Sequence, residues 1–250
     1  MNKKEEHRFF LKDTLRQSFN FRETDQNRGI PAPSVQKPCP LDAEIIPLPG
    51  RVHWPDSVKE KRLLSAMAER RSARRFKADP LTLEELGFLL WATQGISDPS
   101  GQNPSYRTVP SAGARHSFET YVFIMNITDL RPGLYRFLPV NHALVFISEI
   151  PAIRDELTMG CFGQRYAGSG AVTFVWTTIP YRMEWRYGLC AHRVILMDAG
   201  HLCQNLYLAC SAVNAGTCAI GAYDQEKMDT LVGVDGNEEF TIYLAPVGRV

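Results

Sequence analysis

The sequence predicts an α+β fold, and three observations lead to it. The predicted elements run helix, helix, strand, hairpin, helix, strand, long helix, short helix, strand, and no regular crossover helices join the strands. Residues 190–213 form a long helix that is apolar over much of its surface, which is typical of a core or a subunit interface. The helix could lie in the core or in a subunit interface, and we favour the interface. Residues 1–53 are polar and rich in proline, so we expect an extended arm ahead of a domain at residues 54–250.

The arm could wrap the body or a partner subunit, or be partly disordered.

The whole chain carries 28 basic and 27 acidic side chains, a balance that argues against bulk nucleic-acid binding. The charged start at Met1 is no secretory signal, and no apolar run reaches the length of a membrane span. Six cysteines without a CxxC pair make disulfides unexpected, so we expect a cytoplasmic protein without membrane contact.

Two capping-box patterns predict the first helices of the domain. Ser57-Val58-Lys59-Glu60 predicts a helix that continues through Ala68. Thr82-Leu83-Glu84-Glu85 predicts a second helix that ends at Gly95, and the loop 97–110 follows. In the long helix Gly200 is unfavourable by roughly 1 kcal/mol relative to alanine, so we expect a close neighbour there. We expect Gly216 to end this helix.

Runs of β-branched and aromatic residues predict the strands, and turn residues separate them. A helix is predicted over residues 151–159. The predicted strands lie at residues 118–127, 133–137, 143–147, 171–177 and 240–245.

Four arginines and one serine fall within six residues, at Arg70, Arg71, Ser72, Arg74 and Arg75. Guanidinium groups bind phosphate oxygens in bidentate fashion, and serine adds a short donor. The cluster therefore suggests a site for the terminal phosphate of a cofactor. A solvated basic turn is the alternative, and composition does not separate the two.

Other sequence motifs, present or absent, limit the kinds of ligand site that the chain could contain. The chain has no GxGxxG, GxxxxGK[ST] or GxSxG pattern, so a phosphate ligand would not be held by a Rossmann turn or a P-loop. Asp198, His201 and Cys203 do not share one helix face, and we expect no metal site. The turn at Pro110 could bring backbone amides near a ligand. The small-residue loop, residues 219–224, could let a flat ring lie against the backbone, or be a plain turn.

Taken together, these segments resemble the flavin nitroreductase-like superfamily and, within it, the SagB-type branch of thiazoline and oxazoline dehydrogenases. The resemblance runs from about residue 56 to the C-terminus and depends on the order and spacing of four motifs. The motifs are Arg70-Arg71-Ser72-Ala73-Arg74-Arg75-Phe76, Pro110-Ser111-Ala112-Gly113-Ala114-Arg115-His116, Leu196-Met197-Asp198-Ala199-Gly200-His201-Leu202-Cys203-Gln204-Asn205-Leu206 and Ala219-Ile220-Gly221-Ala222-Tyr223-Asp224.

The resemblance implies a nitroreductase-like α+β fold with a largely antiparallel central sheet flanked by helices. It also implies an obligate homodimer with FMN at the interface. The arginine cluster would hold the phosphate and ribityl end, the turn at Pro110 would flank the isoalloxazine from the partner subunit, and the small-residue loop would offer an amide near flavin N5. The implied FMN-binding residues are Arg70, Arg71, Ser72, Arg74, Pro110, Ser111, Ala112, Gly113, Ile220, Gly221, Ala222 and Arg249.

The azoline-oxidising members of the branch carry a Lys-Tyr pair, and the residues aligned with it here are Arg186 and Tyr187. Arginine stays protonated and cannot act as a base, whereas Tyr187 could donate or accept a proton or serve as a wall residue. The leading hypothesis is an FMN-dependent oxidoreductase that works by ping-pong hydride transfer from NADH or NADPH, as transient co-substrate, to a small-molecule acceptor. The alternatives are an azoline dehydrogenase working with a peptide-modifying partner, and a flavin-binding protein without catalysis.

Overall fold

A seven-stranded antiparallel sheet forms the centre of the computed structural model, which describes residues 2–98, 103 and 105–250. In chain order the strands are β1 (Ile45–Pro47), β2 (Phe118–Ile124), β3 (Gly133–Leu138), β4 (Ala143–Ser148), β5 (Val172–Thr178), β6 (Ala215–Thr217) and β7 (Phe240–Arg249). The helices are α1 (Lys3–Leu11), α2 (Asp56–Glu60), α3 (Leu63–Glu69), α4 (Leu83–Gln94), α5 (Ile153–Gly160), α6 (Tyr181–Tyr187), α7 (Ala191–Ala212) and α8 (Gln225–Val232). The α+β prediction is confirmed. Pro99, Gly101 and Pro104 of the predicted loop lie outside the described residues.

The sheet order is β1-β4-β3-β2-β5-β7-β6, and each neighbouring pair is antiparallel. Successive side chains of a strand point to opposite faces, so the central strands contribute to two cores. Val122 and Phe174 face the core under α4 and α7. Phe123 and Val175 face the second core, under α5 and α8. Burial on both faces explains why the central strands are apolar almost throughout.

The two capping-box predictions had different outcomes. Thr82 caps α4, its side chain accepting from the Glu85 amide while the Glu85 carboxylate accepts from the Thr82 amide at 2.8 Å. The box at Ser57 is wrong, because α2 already begins at Asp56 after Pro55 and has no side-chain cap. The single predicted helix is two short ones, since Lys61 and Arg62 adopt extended backbone between α2 and α3.

The long helix is confirmed as α7, but the expectation that Gly216 ends it is wrong. The helix ends at Ala212, with Val213 as its C-cap, and Asn214 follows with φ 51°. Gly216 lies inside β6. Among the described residues, no neighbouring segment comes within 4 Å of a Cβ built on Gly200, so the close neighbour expected there stays a prediction for a partner subunit. The position is exposed. In the described part of the chain, no helix is both long and apolar enough to cross a membrane.

The N-terminal segment runs along the body and joins the same sheet. Its strand β1 pairs with β4, and buried side chains bind its backbone just before that strand. Glu119 accepts from the Lys37 amide at 2.8 Å, and Arg136 donates to the carbonyls of Lys37 and Pro38. Arg182 donates to the same Glu119 carboxylate at 2.6 Å. We call Glu119, Arg136, Arg182 and Lys37 the Glu119 network.

Candidate functional site

The arginine turn, residues 70–75, follows α3 and is fastened to the edge strand β6. Ala73 donates its amide to the Thr217 carbonyl at 2.9 Å, and Ser72 forms a parallel bridge with Thr217. This approach requires a glycine in β6, because a Cβ on Gly216 would lie 2.6 Å from the Ala73 Cβ. The turn is therefore held in place by the sheet.

No arginine of this turn makes an ion pair with a carboxylate among the described residues. Arg70 places its guanidinium carbon 5.4 Å from the Tyr207 ring centroid, and Arg74 places its own 5.7 Å from the Tyr166 ring. Arg71 instead donates to carbonyls at the end of α3, those of Ala68 and Arg70. The turn thus concentrates positive charge that no carboxylate in the described structure neutralises.

A cavity of about 390 Å³ opens beside the turn, between α3, the N-terminal end of β6 and the second half of α7. This volume lies within the usual range for small-ligand sites. Arg70 and Arg71 bring positive charge to its walls, and Tyr207 and Ser211 add hydroxyl groups. Lys61 also lines the cavity, but it is paired there with Glu69 at 2.6 Å. Of these, the sequence analysis named only the two arginines.

Tyr207 joins two of the predicted segments. Its hydroxyl oxygen accepts from the Ala219 amide at 2.9 Å and lies 3.1 Å from the Ser72 hydroxyl oxygen. One phenol on α7 therefore links the arginine turn to the start of the small-residue loop. Sequence reasoning missed it, because a tyrosine on a largely apolar helix has no local signal for such contacts.

The small-residue loop has one buried anchor and an exposed tip. Ile220 is buried, and its amide and carbonyl pair with the backbone of Leu244 in β7. Gly221 and Ala222 are exposed, and neither amide meets an acceptor within the described residues. The Gln164 side chain holds the tip by donating to the Ala222 carbonyl at 2.7 Å. The loop therefore presents two free donors on an open face.

The Gly113 turn, residues 110–116, meets the end of α6, a helix that the sequence analysis did not assign. Gly113 has φ 59°, and a Cβ there would lie 2.6 Å from Arg186 Cδ and 2.7 Å from the Tyr187 hydroxyl oxygen. Only glycine fits this position without strain. The Ser111 hydroxyl accepts from the His116 amide at 2.9 Å and tightens the turn. The structure thus brings the predicted Arg186–Tyr187 pair together with the predicted turn.

Asp198 of α7 holds this turn from the other side. Its carboxylate accepts from the Ala112 amide at 3.2 Å and lies 3.7 Å from His201 Nδ1. Burial raises the pKa of Asp198, against the opposing effects of the Ser111 and Ala112 hydrogen bonds. No cluster of three metal-ligating side chains occurs in the described ranges. The carboxylate therefore orients the turn.

The two halves of the candidate site lie at different points of α7. Asp198 contacts the Gly113 turn and Tyr207 contacts the arginine turn, nine residues apart in the helix, which corresponds to roughly 13 Å along its axis. Between them, α7 exposes Gly200, His201 and Gln204. Within one chain, the Gly113 turn does not reach the arginine turn.

Arg249 is engaged within the chain. Its guanidinium donates to Glu85 Oε2 at 2.6 Å, to the Val213 carbonyl at 2.5 Å and to the Pro80 carbonyl at 3.2 Å. Each of its three nitrogens has a partner. Its contact with a cofactor phosphate stays a prediction, and these bonds do not favour it.

Comparisons with known proteins identify the fold and the family. A protein described as a nitroreductase from Methanocaldococcus jannaschii is 30% identical over 198 residues, which cover 79% of this chain and 96% of that protein. The trifolitoxin operon protein TfxC of Rhizobium leguminosarum bv. trifolii is 26% identical over 209 residues; the match covers 74% of this chain and 55% of TfxC, so this chain spans about half of its length. A solved structure of a nitroreductase from Ralstonia eutropha JMP134 is 25% identical with a TM-score of 0.69, covering 88% of this chain and 97% of that one. The nitroreductase-like fold is thereby confirmed.

A family model described as the Nitroreductase family matches residues 67–249, a span that begins in α3 and ends with β7. It includes the arginine turn, the Gly113 turn and the small-residue loop. The chain therefore belongs to the nitroreductase family.

Proposed function

We propose that this chain is an FMN-dependent oxidoreductase that transfers hydride from NADH or NADPH to an electron acceptor in two half-reactions. One observation carries the proposal: Tyr207 links a turn of unpaired arginines to a loop with two free amides, beside a cavity of about 390 Å³. Unpaired guanidinium groups suit a phosphate. Free amides on an open face suit a flat ring with hydrogen-bond acceptors.

The residues present fit FMN on these grounds. Arg70, Ser72 and Arg74 would bind its phosphate, and Arg71 would form part of the cavity wall. Gly221 and Ala222 would donate their amides to the ring, and Ile220 would keep the loop fixed to β7. When bound, FMN accepts and returns the hydride at N5, while the protein positions the reactants and tunes the site.

A homodimer completes this site in the proposal. Leu196, Met197 and Gly200 are exposed on α7, and Leu64 and Met67 are exposed on α3. Large exposed apolar patches mark interaction surfaces. Pairing through this surface would let Pro110, with the rest of the Gly113 turn, contact the cofactor of the other subunit, which agrees with the separation of the two half-sites along α7.

The test is anaerobic mixing of the purified, FMN-saturated protein with NADH and with NADPH. We expect at least one nicotinamide to bleach the visible flavin absorbance, and an added acceptor to restore it. If neither bleaches the flavin, the hydride half-reaction is wrong. A colourless protein that cannot be reconstituted with FMN would overturn the flavin assignment itself.

A second candidate reaction is the oxidation of an azoline ring in a modified peptide, with a peptide-modifying partner. The similarity to TfxC and the position of the Tyr187 hydroxyl against Gly113 favour it. Arg186 disfavours it, because a guanidinium does not accept a proton at neutral pH. Replacing Tyr187 by phenylalanine should abolish azoline turnover if Tyr187 moves the proton, and unchanged turnover would exclude that role.

A further inference from the structure

Two arginines outside the arginine turn meet at the Gly113 turn. Arg186 lies against Gly113, since a Cβ on that glycine would be 2.7 Å from Arg186 Nε. Arg115 is two residues further along the turn, and its guanidinium carbon lies 4.9 Å from the ring centroid of Trp185, the residue before Arg186. The Arg186 guanidinium carbon also lies 5.6 Å from the Tyr187 ring centroid, and both arginines are half-buried.

Neither guanidinium has a carboxylate partner among the described residues. Arg115 makes no hydrogen bond there, and its Nε is buried without an acceptor. Arg186 donates only to the neutral side-chain oxygen of Gln26, at 3.1 Å. By contrast Arg182, one turn earlier on α6, is paired with Glu119 at 2.6 Å.

The carboxylates of this neighbourhood are engaged elsewhere. Asp198 accepts from the Ala112 amide, and Glu184 lies 2.7 Å from His192 Nε2. Asp25 accepts from the Tyr181 hydroxyl at 2.8 Å. Two like charges are thus held close together, partly out of water, and no anion within the described ranges is paired with either. Such an arrangement is unfavourable unless another anion binds.

Resting on the proposed function, we propose that Arg115 and Arg186 form a subsite for an oxyanion, a carboxylate or a phosphate, carried by a reactant that binds beside Tyr187. Guanidinium groups bind planar oxyanions in bidentate fashion. The Trp185 ring supports the Arg115 plane, and Gln26 of the N-terminal segment orients Arg186. Burial, followed by the charge of Arg186, lowers the pKa of Arg115, which agrees with two cations in close proximity.

The oxyanion could belong to the electron acceptor or to the ribose phosphate that distinguishes NADPH from NADH. FMN-saturated protein separates the two sources by steady-state kinetics. One pair of assays compares para-nitrobenzoate with para-nitrobenzamide, and the other compares NADPH with NADH. The variants are Arg115→Gln and Arg186→Gln, with Arg186→Lys as the charge-retaining change. Arg165→Gln is the matched control, because Arg165 is exposed and distant in sequence from the turn.

We expect each glutamine variant to raise the KM of one charged reactant by about tenfold or more, since a charge-assisted hydrogen bond is lost. The uncharged counterpart should change no more than in Arg165→Gln, and Arg186→Lys should recover part of the effect. A shift for para-nitrobenzoate identifies the acceptor as the source, and a shift for NADPH identifies the nicotinamide. Equal shifts for the charged and uncharged members of both pairs would overturn the subsite.

A calorimetric titration of the FMN-saturated protein with benzoate and with inorganic phosphate tests the subsite without turnover. Binding of either anion should weaken by about tenfold or more in both glutamine variants and stay unchanged in Arg165→Gln. Absence of anion binding to the unaltered protein would overturn the subsite even if the flavin is reduced normally. Anion binding to a protein that nicotinamides do not bleach would instead overturn the proposed function alone.

Discussion

Two groups of arginines in this chain have opposite surroundings. In the Glu119 network, Arg136 and Arg182 are buried and share one carboxylate, which also accepts from the Lys37 amide. In the arginine turn, Arg70 and Arg74 contact aromatic rings and no described carboxylate. The first group fastens the N-terminal segment to the sheet, and the second leaves its charge available to a ligand. The presence or absence of a carboxylate partner, and not the residue type, therefore distinguishes the structural arginines from those available to a ligand.

The largest expected effect comes from breaking the paired group with Glu119→Gln. Loss of the carboxylate leaves two buried guanidinium groups without an anion, so the free energy of unfolding should fall by about 3–5 kcal/mol. Urea unfolding followed by circular dichroism measures this. Glu149→Gln, at an exposed position, is the control and should stay within about 0.5 kcal/mol of the unaltered protein. A similar loss in both variants would show that the network does not stabilise the fold.

The next effect is a pH dependence at His116, a buried neighbour of the paired group. Burial and then the charge of Arg107 lower the pKa of His116 to about 4. The unfolded chain therefore binds more protons between pH 6.5 and 4, and stability should decrease by about 3 kcal/mol as the pH falls through that range. Urea midpoints across the range measure this. His116→Gln should flatten the profile, and an equally steep decrease in that variant would assign the effect to other groups.

In the unpaired group, Arg70→Gln should affect binding and leave folding nearly unchanged. Loss of one charge-assisted hydrogen bond should weaken FMN binding by about tenfold or more, whereas the cofactor-free protein should unfold within about 0.5 kcal/mol of the unaltered one. Fluorescence titration with FMN measures the affinity. Arg75→Gln, on the same turn, is the matched control because we assign Arg75 no contact. Equal weakening of FMN binding in both variants would show that the turn attracts FMN only through its overall positive charge, without a specific contact from Arg70.

The smallest effect is expected at Tyr207, where one hydroxyl links the arginine turn to the small-residue loop. Tyr207→Phe removes the contacts with Ser72 and Ala219, so FMN affinity should fall by about fivefold, equivalent to about 1 kcal/mol. The same titration measures it. Tyr106→Phe, at an exposed tyrosine, is the control. Unchanged affinity in Tyr207→Phe would mean that the two segments are positioned independently.

Local patterns were predictable where the interacting residues are neighbours in sequence. The capping box at Thr82 and the hairpin of β3 and β4 depend on contacts within a few residues. The three-residue strands β1 and β6 were not predictable, because segments so short show no periodicity and form on the edges of strands already present. The break between α2 and α3 was also missed. A capping pattern predicts only the start of a helix and carries no signal for the extended backbone at Lys61 and Arg62.

The sequence by itself determined the α+β class, the central strands and the long helix, since these follow from local periodicity. Motif order also named the segments that carry the predicted site, but not Tyr207, which links two of them. Only the tertiary structure decided which arginines are paired. Arg182 and Glu119 are 63 residues apart, and Ser72 and Tyr207 are 135 apart. No local pattern specifies such partners, because they meet only after the sheet has brought distant segments together. In the part of the chain that the structure describes, the same folding leaves Arg70, Arg115 and Arg186 without a carboxylate partner, and that makes them candidates for binding.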